Sequence, residues 1–128
     1  MSESLTDMLD KFTDDLSGCM HASVVDVSTG LALVAKSNST EVSGEGTDAF
    51  HADLYRMSQK LLADLPMGDE PREIVMRSQQ ATFVSTPLES TGYILLVVTG
   101  ADTTVGFIQA MMRKHASRIE EGVGALVG

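Results

Sequence analysis

The sequence contains a single cysteine, Cys19, so no disulfide can form within the chain. A lone thiol suits a reducing compartment, and we expect the protein in the cytoplasm. Basic residues are also scarce, because nine Lys and Arg against eighteen Asp and Glu leave a net charge of -9. Phosphate backbones and anionic lipid surfaces repel a chain of this charge. We therefore expect neither nucleic acid nor a membrane surface as a partner.

The sequence also has no long hydrophobic run. The longest one, residues 93–98, is far too short to span a bilayer. Near the N-terminus, Glu3, Asp7 and Asp10 occupy the stretch where a secretory leader would carry basic residues followed by an apolar segment. We therefore expect neither a membrane span nor a leader.

Hydrophobic periodicity predicts elements in the order α-β-β-α-β-β-β-α. The central one is a β-hairpin over residues 20–36, in which two runs rich in β-forming residues flank a polar turn that ends at Gly30. Helices are predicted over residues 4–16, 48–65 and 102–119, and three further strands over residues 72–78, 81–86 and 92–99. The 128 residues suit one α+β domain, 1–128, with a core over about 5–119 and a glycine-rich tail, 120–128, that frays.

Two patterns position strands within the predicted sheet. The strand at residues 93–98 is apolar at every position, so both of its faces must be covered and it belongs at the centre. Charged residues mark the edges, with Lys36 on the second strand and Arg72 and Arg77 on the third, since charge discourages indiscriminate pairing at an edge.

The predicted second helix has more apolar surface than one contact requires. Its main stripe, which we expect to face the sheet, comprises Phe50, Leu54, Met57, Leu61 and Leu65. Tyr55, Leu62 and Met67 lie outside that stripe. The excess indicates either a second contact, within the chain or with a partner, or hydrophobic residues scattered over the surface.

The reactive side chains do not complete a recognisable site. Strand alternation places Cys19 and His21 on one face, as in a thiolate–imidazole pair or half a zinc site, but a buried inert cysteine beside an ordinary histidine is favoured. The glycines at 44 and 46 lack the lysine of a P-loop and the third glycine of a dinucleotide fingerprint, so we interpret residues 37–47 as a flexible loop. We predict no enzyme activity, no metal and no cofactor.

Local signatures follow one another in a characteristic order along about residues 5–119. Leu16-Ser17-Gly18 precedes the first strand, and a valine–aspartate turn with its glycine follows at residues 25–31. Further signatures are the strand pair at 73–76 and 83–88, and the strand at 92–98 with a helix opening at 105–108. Together they resemble the Roadblock/LC7 family, which includes the dynein light chain Roadblock and the MglB-like partners of Ras-like GTPases. The Gln79-Gln80 turn and the long loop at 37–47 depart from the family pattern.

This resemblance implies a five-stranded antiparallel sheet in the order 2-1-5-4-3, with the second helix on one face and the terminal helices on the other, in a profilin-like layering. It also implies a homodimer or heterodimer that pairs the third strand and the second helix across a two-fold axis. The residues that match these pairing elements, and that we predict at the interface, are Phe50, Leu54, Tyr55, Met57, Arg72, Ile74 and Met76. The implied function is that of a non-enzymatic module that binds and regulates a small Ras-like GTPase, by activation or as a scaffold.

An alternative hypothesis is a small-molecule sensor or a general protein-interaction scaffold, because PAS and profilin-like domains share this layering. A sensor requires a pocket between sheet and helix with a few converging polar groups. The candidates for those groups are Cys19, His21 and Ser23.

Overall fold

A computed structural model describes residues 3–68 and 70–127 of the chain. Helices and strands follow in the predicted order. The helices are α1 (Leu5–Asp15), α2 (Gly44–Ala63) and α3 (Val105–Val127), and the strands are β1 (Cys19–Asp26), β2 (Ala32–Ser37), β3 (Ile74–Arg77), β4 (Ala81–Leu88) and β5 (Tyr93–Gly100). Among the described residues, no helix combines the length and hydrophobicity that a membrane span requires.

The strands form one antiparallel sheet in the order β2-β1-β5-β4-β3, which confirms the order that the resemblance implied. Strand β5 is central and its residues 94–98 are fully buried, while β2 and β3 are the edges. The positions of β2, β3 and β5 in the sheet, which were predicted from charge and hydropathy along the strands, are therefore confirmed. The turn at residues 79–80 connects β3 to β4, as the spacing predicts.

The two faces of the sheet are covered differently. Helices α1 and α3 pack on one face over a large core that includes Leu9, Phe12, Ile108 and Ile119. Helix α2 covers the other face, where the apolar cluster is limited to Val25, Ala52, Tyr55 and Ile94 with two half-buried neighbours. Most of the apolar burial that stabilises the fold is thus on the side of α1 and α3.

Helix α2 begins earlier than the sequence predicts. Residues 44–47 were expected to belong to a flexible loop, but the first helical hydrogen bond runs from Thr47 N to Ser43 O at 2.9 Å. Glu45 in the first turn suits the positive end of the helix dipole. Gly44 allows close packing, because a Cβ there would lie 2.9 Å from Cε1 of His21. The loop prediction is therefore wrong for these four residues.

Helix α3 continues through the segment that we expected to fray. It extends to Val127, and Val123 is fully buried in the large core. The close approach of α1 explains this, because a Cβ at Gly122 would lie 2.8 Å from Sδ of Met8 and 3.1 Å from Cδ1 of Leu5. The free energy gained by this packing outweighs the cost of glycine in a helix, which is roughly 1 kcal/mol per residue relative to alanine. The prediction of a frayed tail is wrong for residues 120–127, and residue 128 lies outside the described residues.

Alanine substitutions at two glycines of α3 should have opposite effects. A Cβ at Gly124 would meet nothing within 4 Å, so Gly124→Ala should raise the free energy of unfolding by about 0.5–1 kcal/mol. Gly122→Ala should lower it, because Met8 and Leu5 must move away. Urea denaturation of both variants measures the difference. Equal stabilisation by both would show that α1 and α3 are not held this closely.

Candidate interaction surface

Helix α2 turns a side of mixed polarity toward the sheet. The residues of α2 that are buried are Asp48, His51, Ala52 and Tyr55. Phe50, Met57 and Leu61 are 55%, 65% and 61% exposed, Leu65 is also exposed, and Leu54 is half-buried. The prediction that this apolar stripe faces the sheet is therefore wrong, because most of the stripe lies at the surface.

Polar residues of β1 explain this orientation. His21 and Ser23 project toward α2 and are 1% and 0% exposed. Ser23 Oγ donates a hydrogen bond to Asp48 Oδ1 at 2.6 Å, and Nε2 of His21 lies 2.9 Å from the same oxygen. The other ring nitrogen, Nδ1, lies 2.7 Å from Ser37 Oγ. Because buried polar groups need hydrogen-bond partners, α2 must present Asp48 to the sheet, and its apolar stripe faces outward.

Cys19 lies on the other side of the sheet from His21. The pairing of β1 with β5 shifts register between these residues, which breaks the alternation of side chains. Cys19 is half-buried against the large core, and burial raises the pKa of its thiol to about 11, which favours the protonated thiol. The prediction that Cys19 and His21 share a face is wrong, whereas the interpretation of an inert cysteine stays a prediction.

The structure does not bring the candidate sensor groups together around a pocket. Cys19 is on the opposite face, and His21 and Ser23 are buried against Asp48. Within residues 3–68 and 70–127, no three His, Cys, Asp or Glu side chains are arranged to hold a metal ion. His21, Ser23 and Asp48 form a polar cluster that joins β1 to α2.

Tyr55, which we predicted at the interface, lies on the side of α2 that faces the sheet. Its ring is buried with Val25 and Ile94, and its hydroxyl donates a hydrogen bond to Oε2 of Glu70 at 2.9 Å. Burial and the Glu70 carboxylate raise the pKa of Tyr55 to about 12, so the phenol keeps its proton. Ile74 is half-buried against the same cluster. The main contacts of Tyr55 and Ile74 are therefore those that pack α2 on the sheet.

The remaining predicted interface residues lie at or near the surface beside an open sheet edge. In the part of the chain that the structure describes, β3 pairs only with β4. Met76 on β3 is exposed, as is Arg72 just before the strand. We call the following set the α2–β3 surface: Phe50, Leu54, Met57, Leu61 and Met76. It combines exposed apolar side chains with unpaired backbone groups of an edge strand.

A hollow of about 300 Å³ lies at one end of the α2–β3 surface. Phe50, Met76 and Phe83 line it, together with His51 and the first turns of α2. The His51 ring stacks on Phe83 with the centroids 5.4 Å apart, and burial lowers the pKa of His51, which favours the neutral ring. Sequence reasoning missed His51 and Phe83, because a histidine and a phenylalanine in separate elements carry no local signal of this contact.

No protein-family model and no curated protein matches this sequence. Among solved structures, Myxococcus xanthus MglB matches with a TM-score of 0.81 at 17% identity, over 100% of this chain and 96% of that chain. A Roadblock/LC7 domain from Streptomyces avermitilis matches with a TM-score of 0.78 at 14% identity, over 98% of each chain. Profilin IA from Acanthamoeba castellanii matches with a TM-score of 0.61 at 11% identity, over 92% of this chain and 98% of that chain, which agrees with the profilin-like layering. This chain has the Roadblock/LC7 fold.

Proposed function

We propose that this protein is a non-enzymatic, cytoplasmic homodimer that binds and regulates a small Ras-like GTPase. The observation that carries the proposal is the α2–β3 surface. It combines the exposed apolar stripe of α2 with the open edge β3, and the two meet where Phe50 and Met76 line one hollow. Exposed apolar surface of this kind is typical of an interface between proteins.

A second copy would complement this surface by symmetry. Pairing β3 with β3 around a two-fold axis would continue the sheet and bring a second α2 against the first. Burying a large apolar side chain contributes about 1.5–3 kcal/mol. A stable interface buries roughly 800 Å² per partner, so the stripe of α2 and the edge strand must both take part.

The GTPase partner is inferred from the resemblance to MglB-like proteins, and the fold shared with Myxococcus xanthus MglB supports it. In this proposal the chain acts on the GTPase by ordering it or by holding it in place, and it supplies no catalytic group. Tyr55 and Ile74 support the interface from beneath, while Phe50, Leu54, Met57, Arg72 and Met76 are the residues that remain available to a partner.

Size-exclusion chromatography with light scattering tests the proposal in one series. The chain alone should elute with twice its 13.7 kDa mass at micromolar concentration. Mixed with a Ras-like GTPase of the same organism, it should form a larger complex with one nucleotide state, GDP or a GTP analogue, and not with the other. A faster rate of GTP hydrolysis in the complex would identify an activator, and an unchanged rate a scaffold. A monomer that binds neither nucleotide state would contradict the proposal.

A further inference from the structure

We infer that β3 pairs with β3 of a second copy around a two-fold axis through Val75, and that Glu73 and Arg77 face each other across this joint. This register presupposes the homodimer proposed above. It adds the charge pairs by which the chain selects a second copy of itself as the partner.

Side chains of β3 alternate between the two faces of the sheet. Ile74 packs into the cluster under α2, and Met76 lines the hollow with Phe50, so the even-numbered residues face α2. Glu73 lies one residue before β3 and accepts a hydrogen bond from Nε2 of Gln109 on α3 at 2.8 Å. The odd-numbered residues 73, 75 and 77 therefore share the α3 face.

The position of the α2 helices limits where the axis can lie. Both α2 helices must be on the same face of the joined sheet if their apolar stripes are to cover each other, which requires an axis perpendicular to the sheet. Residues directly opposite each other across an antiparallel joint point to the same face. A slip by one residue would therefore place the α2 helix of the second copy on the other face of the joined sheet. The axis must therefore lie midway between the two copies of one residue of β3, so that this residue faces itself; an axis through a residue means this arrangement.

Only Val75 and Met76 are central enough in β3, Ile74–Arg77, to carry the axis. An axis through Val75 places Glu73 opposite Arg77 of the second copy, and Ile74 opposite Met76 of the second copy. An axis through Met76 would instead place Val75 opposite Arg77. Opposite charges and apolar pairs stabilise strand pairing, so the axis through Val75 is favoured.

Glu73 and Arg77 are available for these contacts. Both are exposed, and Arg77 forms no salt bridge within residues 3–68 and 70–127. The opposite edge, β2, reads Ala-Leu-Val-Ala-Lys-Ser, with a basic residue and no acidic one. Its Lys36 Nζ already lies 3.1 Å from Oδ1 of Asp10. Self-pairing at β2 would therefore gain no charge pair.

Charge reversal tests the register. Glu73→Arg places arginines at both positions, and Arg77→Glu places glutamates at both. Each variant alone should dimerise at least about tenfold more weakly than the parent, because two pairs of like charges face each other. Mixed together, the two variants should form a heterodimer about as tight as the parent dimer, since every pair is then opposite in sign. The double variant should also recover the parent affinity. Sedimentation velocity measures the affinities, and native mass spectrometry identifies the heterodimer.

Lys36→Glu is the matched control, because it also reverses a positive charge on an edge strand, but on β2, at the other edge of the sheet. It should weaken the dimer by no more than about threefold. If both reversal variants dimerise like the parent and show no preference for each other, the register is overturned while the homodimer stands. A monomeric parent chain would overturn the homodimer as well. Thermal unfolding of each variant shows that it is folded.

Discussion

Phe50→Asp should convert the dimer into a monomer at micromolar concentration, with the dissociation constant raised at least about 100-fold. Phe50 is mostly exposed in one chain, and it forms a wall of the hollow on the α2–β3 surface. In the proposed dimer its ring would be buried, and aromatic residues in such positions carry much of the binding energy of an interface. Aspartate would remove that contact and leave an unpaired carboxylate in an apolar site.

Leu31→Asp provides the control for this measurement. Leu31 is a large apolar residue that is even more exposed, but it lies just before β2, at the other edge of the sheet. This variant should dimerise like the parent in sedimentation equilibrium. The opposite result, a tight Phe50→Asp dimer and a monomeric Leu31→Asp chain, would place the interface at the β2 edge. Because Phe50 lies outside the buried clusters, the Phe50→Asp chain should stay folded, with an unfolding temperature lowered only by the loss of the dimer.

Asp48→Ala should lower the free energy of unfolding by about 3 kcal/mol. Asp48 is 3% exposed and is the shared partner of His21 and Ser23. Its removal leaves a buried ring nitrogen and a buried hydroxyl without this partner, and each such group costs about 1–3 kcal/mol. For a chain of this size the unfolding temperature should fall by roughly 10 °C. Urea denaturation and calorimetry measure the two quantities.

Asp53→Ala is the matched control for Asp48→Ala, at a position five residues further along α2. The side chain of Asp53 is 63% exposed and forms a surface ion pair with Arg56, so its loss should change the free energy of unfolding by less than about 1 kcal/mol. Equal stability of the two alanine variants would mean that the polar cluster does not hold α2 in place. Asp48→Asn should give an intermediate loss, because its side-chain oxygen can still accept from Ser23.

These two substitutions test opposite sides of the same helix. Asp48 holds the inner side of α2 against β1, and Phe50 belongs to the apolar stripe that this leaves outside. A helix without Asp48 on its inner side could have turned its stripe inward to complete the core of a monomer. In this protein the polar cluster leaves the stripe available, and the proposed second copy covers it.

From the sequence alone, the order of the elements, the central position of β5 and the two edge strands could be predicted correctly. These features follow from local periods and from charge, because a strand covered on both faces must be apolar at every position and an edge tolerates charged residues. The sheet order followed from the family resemblance. Phe50, Met57 and Met76 of the predicted interface set are exposed, and their place in an interface stays a prediction.

Only the tertiary structure decided which way α2 faces. A helical stripe shows that one side of a helix needs cover, but it does not show whether the cover is the chain's own sheet or another molecule. That choice depended on a hydrogen bond between residues 27 positions apart, His21 and Asp48, which no local pattern can indicate. The same holds for Gly122, which weakens a helix locally but lets α3 pack against Leu5 and Met8 of α1. In both cases a contact between distant segments outweighed the local preference, because burying a polar group without a partner, or losing core packing, costs more than helix propensity contributes.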